Sequence, residues 1–129
     1  MSRATQYSAQ ELKKYGGKKI LLFSGTVVAN GNNRANTSYP ILNVMQFKEA
    51  TFFLQVSATG GAGNFIVLVE TKHPAGAYYE TLATFGTLTA IGQNLQAVAA
   101  NLGENLGLSW TVGTLTSVTF TVWGVFKIM

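Results

Sequence analysis

The chain holds 129 residues, of which 47% are hydrophobic and only 11% charged, so a single folded domain is expected and intrinsic disorder is excluded. It has no cysteine, one histidine (His73) and five acidic residues that are all glutamate, which removes disulfide scaffolds, thiolate metal sites, cysteine nucleophiles and aspartate-containing triads. The net charge of +4 resides in the first 19 residues, where Arg3, Lys13, Lys14, Lys18 and Lys19 stand against Glu11, whereas residues 20–129 carry four basic and four acidic side chains.

A neutral body is unsuited to nucleic acid, whose binding rests on phosphate neutralisation along a basic face. No specific nucleic-acid partner is therefore expected. The basic leader either grips an acidic surface or only keeps a terminus soluble. Within it, Ser8 as N-cap and Glu11 at the capping-box position predict one or two helical turns over residues 8–15, ended by Gly16-Gly17. The first apolar run, Ile20-Leu21-Leu22-Phe23, is too short for a secretory signal and is followed by Ser24, Gly25 and Thr26. Nothing approaches the roughly 18 apolar residues of a membrane helix. The expectation is synthesis in a cytoplasm and no membrane partner.

From Ile20 the texture changes to short runs rich in Val, Ile, Thr, Phe and Tyr, punctuated by Gly, Asn or Pro about every eight to twelve residues, the spacing of a sandwich or barrel. The prediction is all-β: an antiparallel, jelly-roll-like β-sandwich over residues 20–129 behind a basic arm at residues 1–19. Eight strands are expected at 20–29, 39–47, 50–58, 64–72, 78–85, 95–100, 106–112 and 117–127. In the third, Phe52, Leu54 and Val56 alternate with Phe53, Gln55 and Ser57, and the turn at residues 59–63 is expected to close a hairpin with the fourth. The fourth, Phe65 to Val69, is apolar on both faces, as where a loop or another subunit covers the outer side. In residues 93–103, Leu95, Val98, Ala99 and Leu102 fall at helical spacing, yet Leu95, Ala97 and Ala99 also alternate. The need for a pairing partner favours a strand. Leu106, Leu108, Trp110 and Val112 should point inward, as should Val118, Phe120, Val122, Gly124 and Phe126, with Gly113 to Thr116 joining the last two strands as a hairpin.

Catalytic signals are weak. His73 lies in the loop His73-Pro74-Ala75-Gly76-Ala77 with no carboxylate beside it in sequence, and reads as a solvated loop residue. Glu70 and Glu80 flank that loop on neighbouring strands and could face each other as a glycosidase pair would, but read as surface carboxylates near Lys72. Gly60, Gly61 and Gly63 sit between two strands, whereas a phosphate cradle needs a helix after its glycines. No enzymatic role, cofactor or metal is expected. Binding signals are stronger: Tyr78, Tyr79, Trp123 and the polar loop Asn30 to Asn36 with Arg34 are the aromatic and Arg anchors in a polar rim that interfaces use. Alternation turns Trp123 outward, into solvent or a partner, unless a loop covers it. Sugar platforms use the same residue types, although calcium-dependent ones need aspartates that this chain lacks.

Several segments carry a resemblance: Val69-Glu70-Thr71, Tyr78-Tyr79, Leu82-Ala83-Thr84-Phe85, Leu108-Ser109-Trp110-Thr111-Val112-Gly113 and Val118-Thr119-Phe120-Thr121-Val122. Over residues 50–127 they resemble the small β-sandwich virion structural proteins of tailed bacteriophages, the capsid decoration or auxiliary type. Residues 1–49 lie outside the likeness, and the shared pattern holds no catalytic signature. The resemblance implies a non-enzymatic virion protein, assembled in the host cytoplasm, that binds the major capsid protein or other virion proteins and forms a homo-oligomer such as a trimer. A tail or head-fibre component and a host-surface carbohydrate-binding module are the alternatives. The residues expected to contact partners are Arg3, Lys13, Lys14, Lys18, Lys19, Arg34, Tyr78, Tyr79 and Trp123.

Overall fold

Period-two patterning dominates the described strands, and their inward apolar rows bury against one another. The computed structural model describes residues 18–33, 47–72, 78–98, 102 and 105–127. These residues form eight strands: β1 (Lys18–Val27), β2 (Gly31–Asn32), β3 (Glu49–Gly61), β4 (Ile66–Lys72), β5 (Tyr79–Thr84), β6 (Gly92–Val98), β7 (Leu106–Thr111) and β8 (Leu115–Lys127). They make two antiparallel sheets of four strands, sheet A in the order β1-β8-β3-β6 and sheet B in the order β2-β7-β4-β5. That order is the jelly roll expected from the sequence, two sheets wound so that most successive strands change sheet.

The inward rows fall as the alternation requires. Val118, Phe120, Val122, Gly124 and Phe126 are buried, as are Phe52, Leu54 and Val56, and Leu106, Leu108, Trp110 and Val112. Aromatic rings occupy both ends of the core. At one end Phe120 lies 4.7 Å from Phe23, 4.8 Å from Phe65 and 5.6 Å from Trp110, ring centre to ring centre. At the other, Phe126 sits 5.1 Å from Phe47 and 5.8 Å from Phe52, the latter edge to face. These are the separations at which the ring quadrupoles attract.

Two expected hairpins are corrected. The β3–β4 and β7–β8 links do not close hairpins, because β3 and β8 belong to sheet A while β4 and β7 belong to sheet B. Both are corners between sheets. The second is tight: Leu115 N–H donates to the Val112 carbonyl at 3.0 Å, with Gly113 at φ +57, a left-handed conformation that only glycine adopts without strain. Alternation reveals which side of a strand faces the core and says nothing about which strand lies beside it. The ambiguous segment is a strand as far as Val98, in β6, which begins at Gly92, three residues before its expected start; residues 99–101 and 103 lie outside the described residues. The strand expected at 39–47 falls outside the described residues except for buried Phe47, and the helical turns expected at 8–15 lie wholly outside them. On β4, Val67 and Val69 are buried and the outer Ile66 and Leu68 half-buried, flanked in register by Thr84, Ser109 and Thr111.

The polar loop after β1 turns out to be partly structural. Asn33 is buried, its Nδ2 donating to the Leu22 carbonyl on β1 at 3.2 Å while its Oδ1 accepts the Leu108 N–H of β7 at 2.7 Å. One side chain thus ties sheet A to sheet B. Asn30 Oδ1 accepts the Val112 N–H at 2.8 Å, and Trp110 Nε1 donates to the Ala29 carbonyl at 3.2 Å. Asn33→Ala is expected to cost about 1–3 kcal/mol, because it leaves a buried backbone N–H and a carbonyl without partners. Denaturant titration checks this, and a loss below about 0.5 kcal/mol would mean that water replaces the bridge.

Candidate binding surface

The face of sheet A that points away from the core is built in rows, since residues paired across antiparallel strands project to the same side. Leu21 pairs with Trp123, Trp123 with Phe53, and Phe53 with Leu95. An apolar row therefore crosses all four strands. Phe53 is 40% exposed, Leu95 is 56% exposed and Trp123 is half-buried. The next row is polar, with Ser24, Thr121, Gln55 and Gln93 in register, and the Ser24 and Thr121 hydroxyls 3.1 Å apart. Beyond it the Thr26 and Thr119 hydroxyls meet at 2.7 Å. Between the apolar row and the glutamines lies an open groove of about 660 Å³, lined by Phe53, Gln55, Gln93, Leu95 and Trp123 among others. At its β6 edge Asn94 is held by its side-chain oxygen, which accepts the Gly86 N–H at 2.9 Å and Gln96 Nε2 at 3.3 Å.

Among the described residues, charge borders this face without lining the groove. Lys18 and Lys19 open β1, the edge strand of sheet A, and both are exposed. Lys19 Nζ stands 5.0 Å from the Trp123 ring centre, a cation–π contact worth about 0.5–1 kcal/mol at an exposed site. At the same end of the sheet, one register position beyond the Lys18–Phe126 pair, Lys127 Nζ pairs with Glu49 at 3.6 Å.

Trp123 and Lys19 are thus brought together, which their separation in sequence did not reveal. The tyrosines are not part of that face: Tyr79 begins β5 on the edge of sheet B, and Tyr78, 75% exposed, precedes it. A platform combining Tyr78, Tyr79 and Trp123 is not formed. Arg3, Lys13, Lys14 and Arg34 lie outside the described residues, as does His73. Phe53, Gln55 and Gln93 were not singled out as contact residues, although the alternation that turned Trp123 outward on β8 also turns Phe53 and Gln55 outward on β3.

The acidic pair on β4 and β5 does not assemble. Glu70 pairs with Thr81 and Glu80 with Thr71, a register that sends the two carboxylates to opposite sides. Glu70 is also not the surface carboxylate expected, being 5% exposed beside the side-chain-free Gly107 of β7. Among the described residues no cluster of three or more His, Cys, Asp or Glu could hold a metal, and no helix is long and apolar enough to cross a membrane.

No protein-family model and no curated protein sequence matches the chain. Among solved structures, Eiger TNF from S. frugiperda superposes with a TM-score of 0.50 at 9% identity, covering 87% of this chain and 85% of that one. The SPBc2 prophage-derived protein YomS gives 0.45 at 10% identity, covering 86% of this chain and 92% of its own. The CBM22-1–GH10 modules of the Clostridium thermocellum endo-1,4-beta-D-xylanase 10B, solved with xylohexaose, give 0.46 at 15% identity. There the match covers 83% of this chain and 28% of the xylanase chain. At 9% identity the likeness to Eiger TNF speaks for the β-sandwich fold alone.

Proposed function

We propose that this chain is a non-enzymatic structural component of a tailed-phage virion, a capsid decoration or cement protein that attaches to the outer head shell through its basic leader. The observation that carries the reading is the segregation of charge. The +4 sits in residues 1–19, the body is neutral, and the leader's last two lysines stand exposed on β1, the edge strand of sheet A among the described residues. A neutral, densely packed sandwich adds rigid area without repelling copies of itself, while a cationic arm suits an acidic lattice. The sequence resemblance over residues 50–127 supports the same reading, as does the separation of Glu70 from Glu80. The partner is the major capsid protein, and the protein acts as a homo-oligomer on the shell.

Exchange of Lys13, Lys14, Lys18 and Lys19 for glutamine tests this. At about 0.5 kcal/mol per exposed ion pair, the four exchanges amount to roughly 2 kcal/mol, or about thirtyfold in Kd. The variant should bind purified capsids more weakly at low salt and lose most of the salt dependence shown by the unaltered protein. Equal capsid occupancy of both proteins across a salt series would overturn the docking role of the leader. Absence of the chain from purified particles would overturn the virion reading itself.

A further inference from the structure

We infer that the groove on the outer face of sheet A is a binding site for a neutral polysaccharide, a function separate from attachment through the leader. Three properties of the groove select this ligand. Its volume, about 660 Å³, is that of a small-ligand cleft, and its lining sets the apolar Phe53, Leu95 and Trp123 beside the amides of Gln55, Gln93 and Asn94.

The apolar row is shaped for a sugar ring. Trp123 and Phe53 are directly opposite on adjacent strands, and Leu95 continues the row onto β6. With strands about 4.8 Å apart, the strip from β8 to β6 runs about 10 Å, the length of a disaccharide. The C–H groups on the flat face of a pyranose carry partial positive charge, and the faces of aromatic rings are negative. Stacking there removes apolar surface from water on both sides, at a row that a self-contained domain would otherwise leave wet.

The polar row is placed for the rim of the same ring. Gln55 and Gln93 are exposed and in register with each other, one residue pair along from Phe53 and Leu95 on the same face. Each amide offers two donors and an acceptor group, the complement of vicinal hydroxyls. Among the described residues no charged side chain lines the groove, so a phosphate, a nucleotide or an acidic peptide would find no counter-charge from them. Lys19 lies on the β1 side of Trp123, away from the β3–β6 wall, and is already engaged with the ring. An uncharged, polyhydroxylated chain is the ligand that such a lining fits.

Native gels cast with soluble xylan, barley β-glucan, galactomannan or dextran test the site on the full chain. At least one of the four should retard the protein. Trp123→Ala should weaken that retardation by about tenfold or more, the equivalent of one stacking contact, and Phe53→Ala by severalfold. The double variant Gln55→Ala/Gln93→Ala, which leaves the apolar row intact, should also weaken it by about tenfold, while Tyr78→Ala on the other sheet should leave it unchanged. A variant with only Lys13, Lys14 and Lys18 exchanged for glutamine, which keeps Lys19 on the Trp123 ring, should retain retardation, so that failure of leader docking and failure of the groove are read separately. No retardation by any of the four polymers would overturn the proposal, as would retardation that survives both Trp123→Ala and the double glutamine variant. Concentration-dependent self-association abolished by Trp123→Ala would also overturn it, marking a second copy of the chain as the occupant.

Discussion

Phe120→Ala should lower stability by about 3–5 kcal/mol, with a fall in Tm of roughly 10–20 °C. Phe120 is fully buried at the centre of β8, and its ring touches Phe23 from its own sheet and Phe65 and Trp110 from the opposite side of the core. Removing it opens a cavity that rigid strands on both sides cannot collapse into, so the lost transfer energy and the lost dispersion contacts add. A domain of this size is held by about 5–15 kcal/mol in total, so the loss is a large share. Phe53→Ala provides the comparison within the same sheet. Phe53 removes an equal side chain from an exposed position and should cost no more than about 1 kcal/mol. Chemical denaturation of the two variants measures the difference directly. Similar losses for both would mean that the outer face is covered in the free protein and would also undercut the groove as an open site.

Gly124→Val should be more damaging than its size suggests, costing about 3 kcal/mol or more. Gly124 points inward in the middle of β8, paired with Ile20 on one side and Phe52 on the other. A Cβ there would lie 2.5 Å and 2.9 Å from Phe126 ring atoms and 3.4 Å from Leu22. The Phe126 ring cannot swing away, since Phe47 and Phe52 close around it. The missing side chain is therefore part of the packing. Gly25→Ala is the contrasting case, because a Cβ at Gly25 meets the Phe23 ring at an ordinary 3.5 Å. That variant should fold with a loss within about 1 kcal/mol. Poor soluble yield or a steeply lowered denaturation midpoint for Gly124→Val beside a near-normal Gly25→Ala is the expected pair of results. A Gly124→Val protein of unchanged midpoint would mean that the Phe126 end of the core is loose.

Much of this architecture was readable in the chain because β-strands write burial into every second residue. The inward rows of β3, β7 and β8, the strand character of β4 and β5, the outward turn of Trp123 and the charge difference between leader and body all follow from local pattern and composition. Strand partnership does not, because register and sheet membership depend on which distant segment arrives alongside. The corners at Gly61 and Gly113 therefore read locally as hairpins, and Asn33 reads as part of a polar binding loop although it bridges Leu22 and Leu108. The same limit hid the binding face. Leu21, Phe53, Leu95 and Trp123 are scattered over four strands, each an ordinary outward residue in its own run, and the ladder of sheet A alone sets them in one line with Gln55 and Gln93 beside them. Local alternation determined which residues are inside; long-range pairing, which brings together residues more than a hundred positions apart, such as Leu21 and Trp123, decided which of the outer ones stand next to each other.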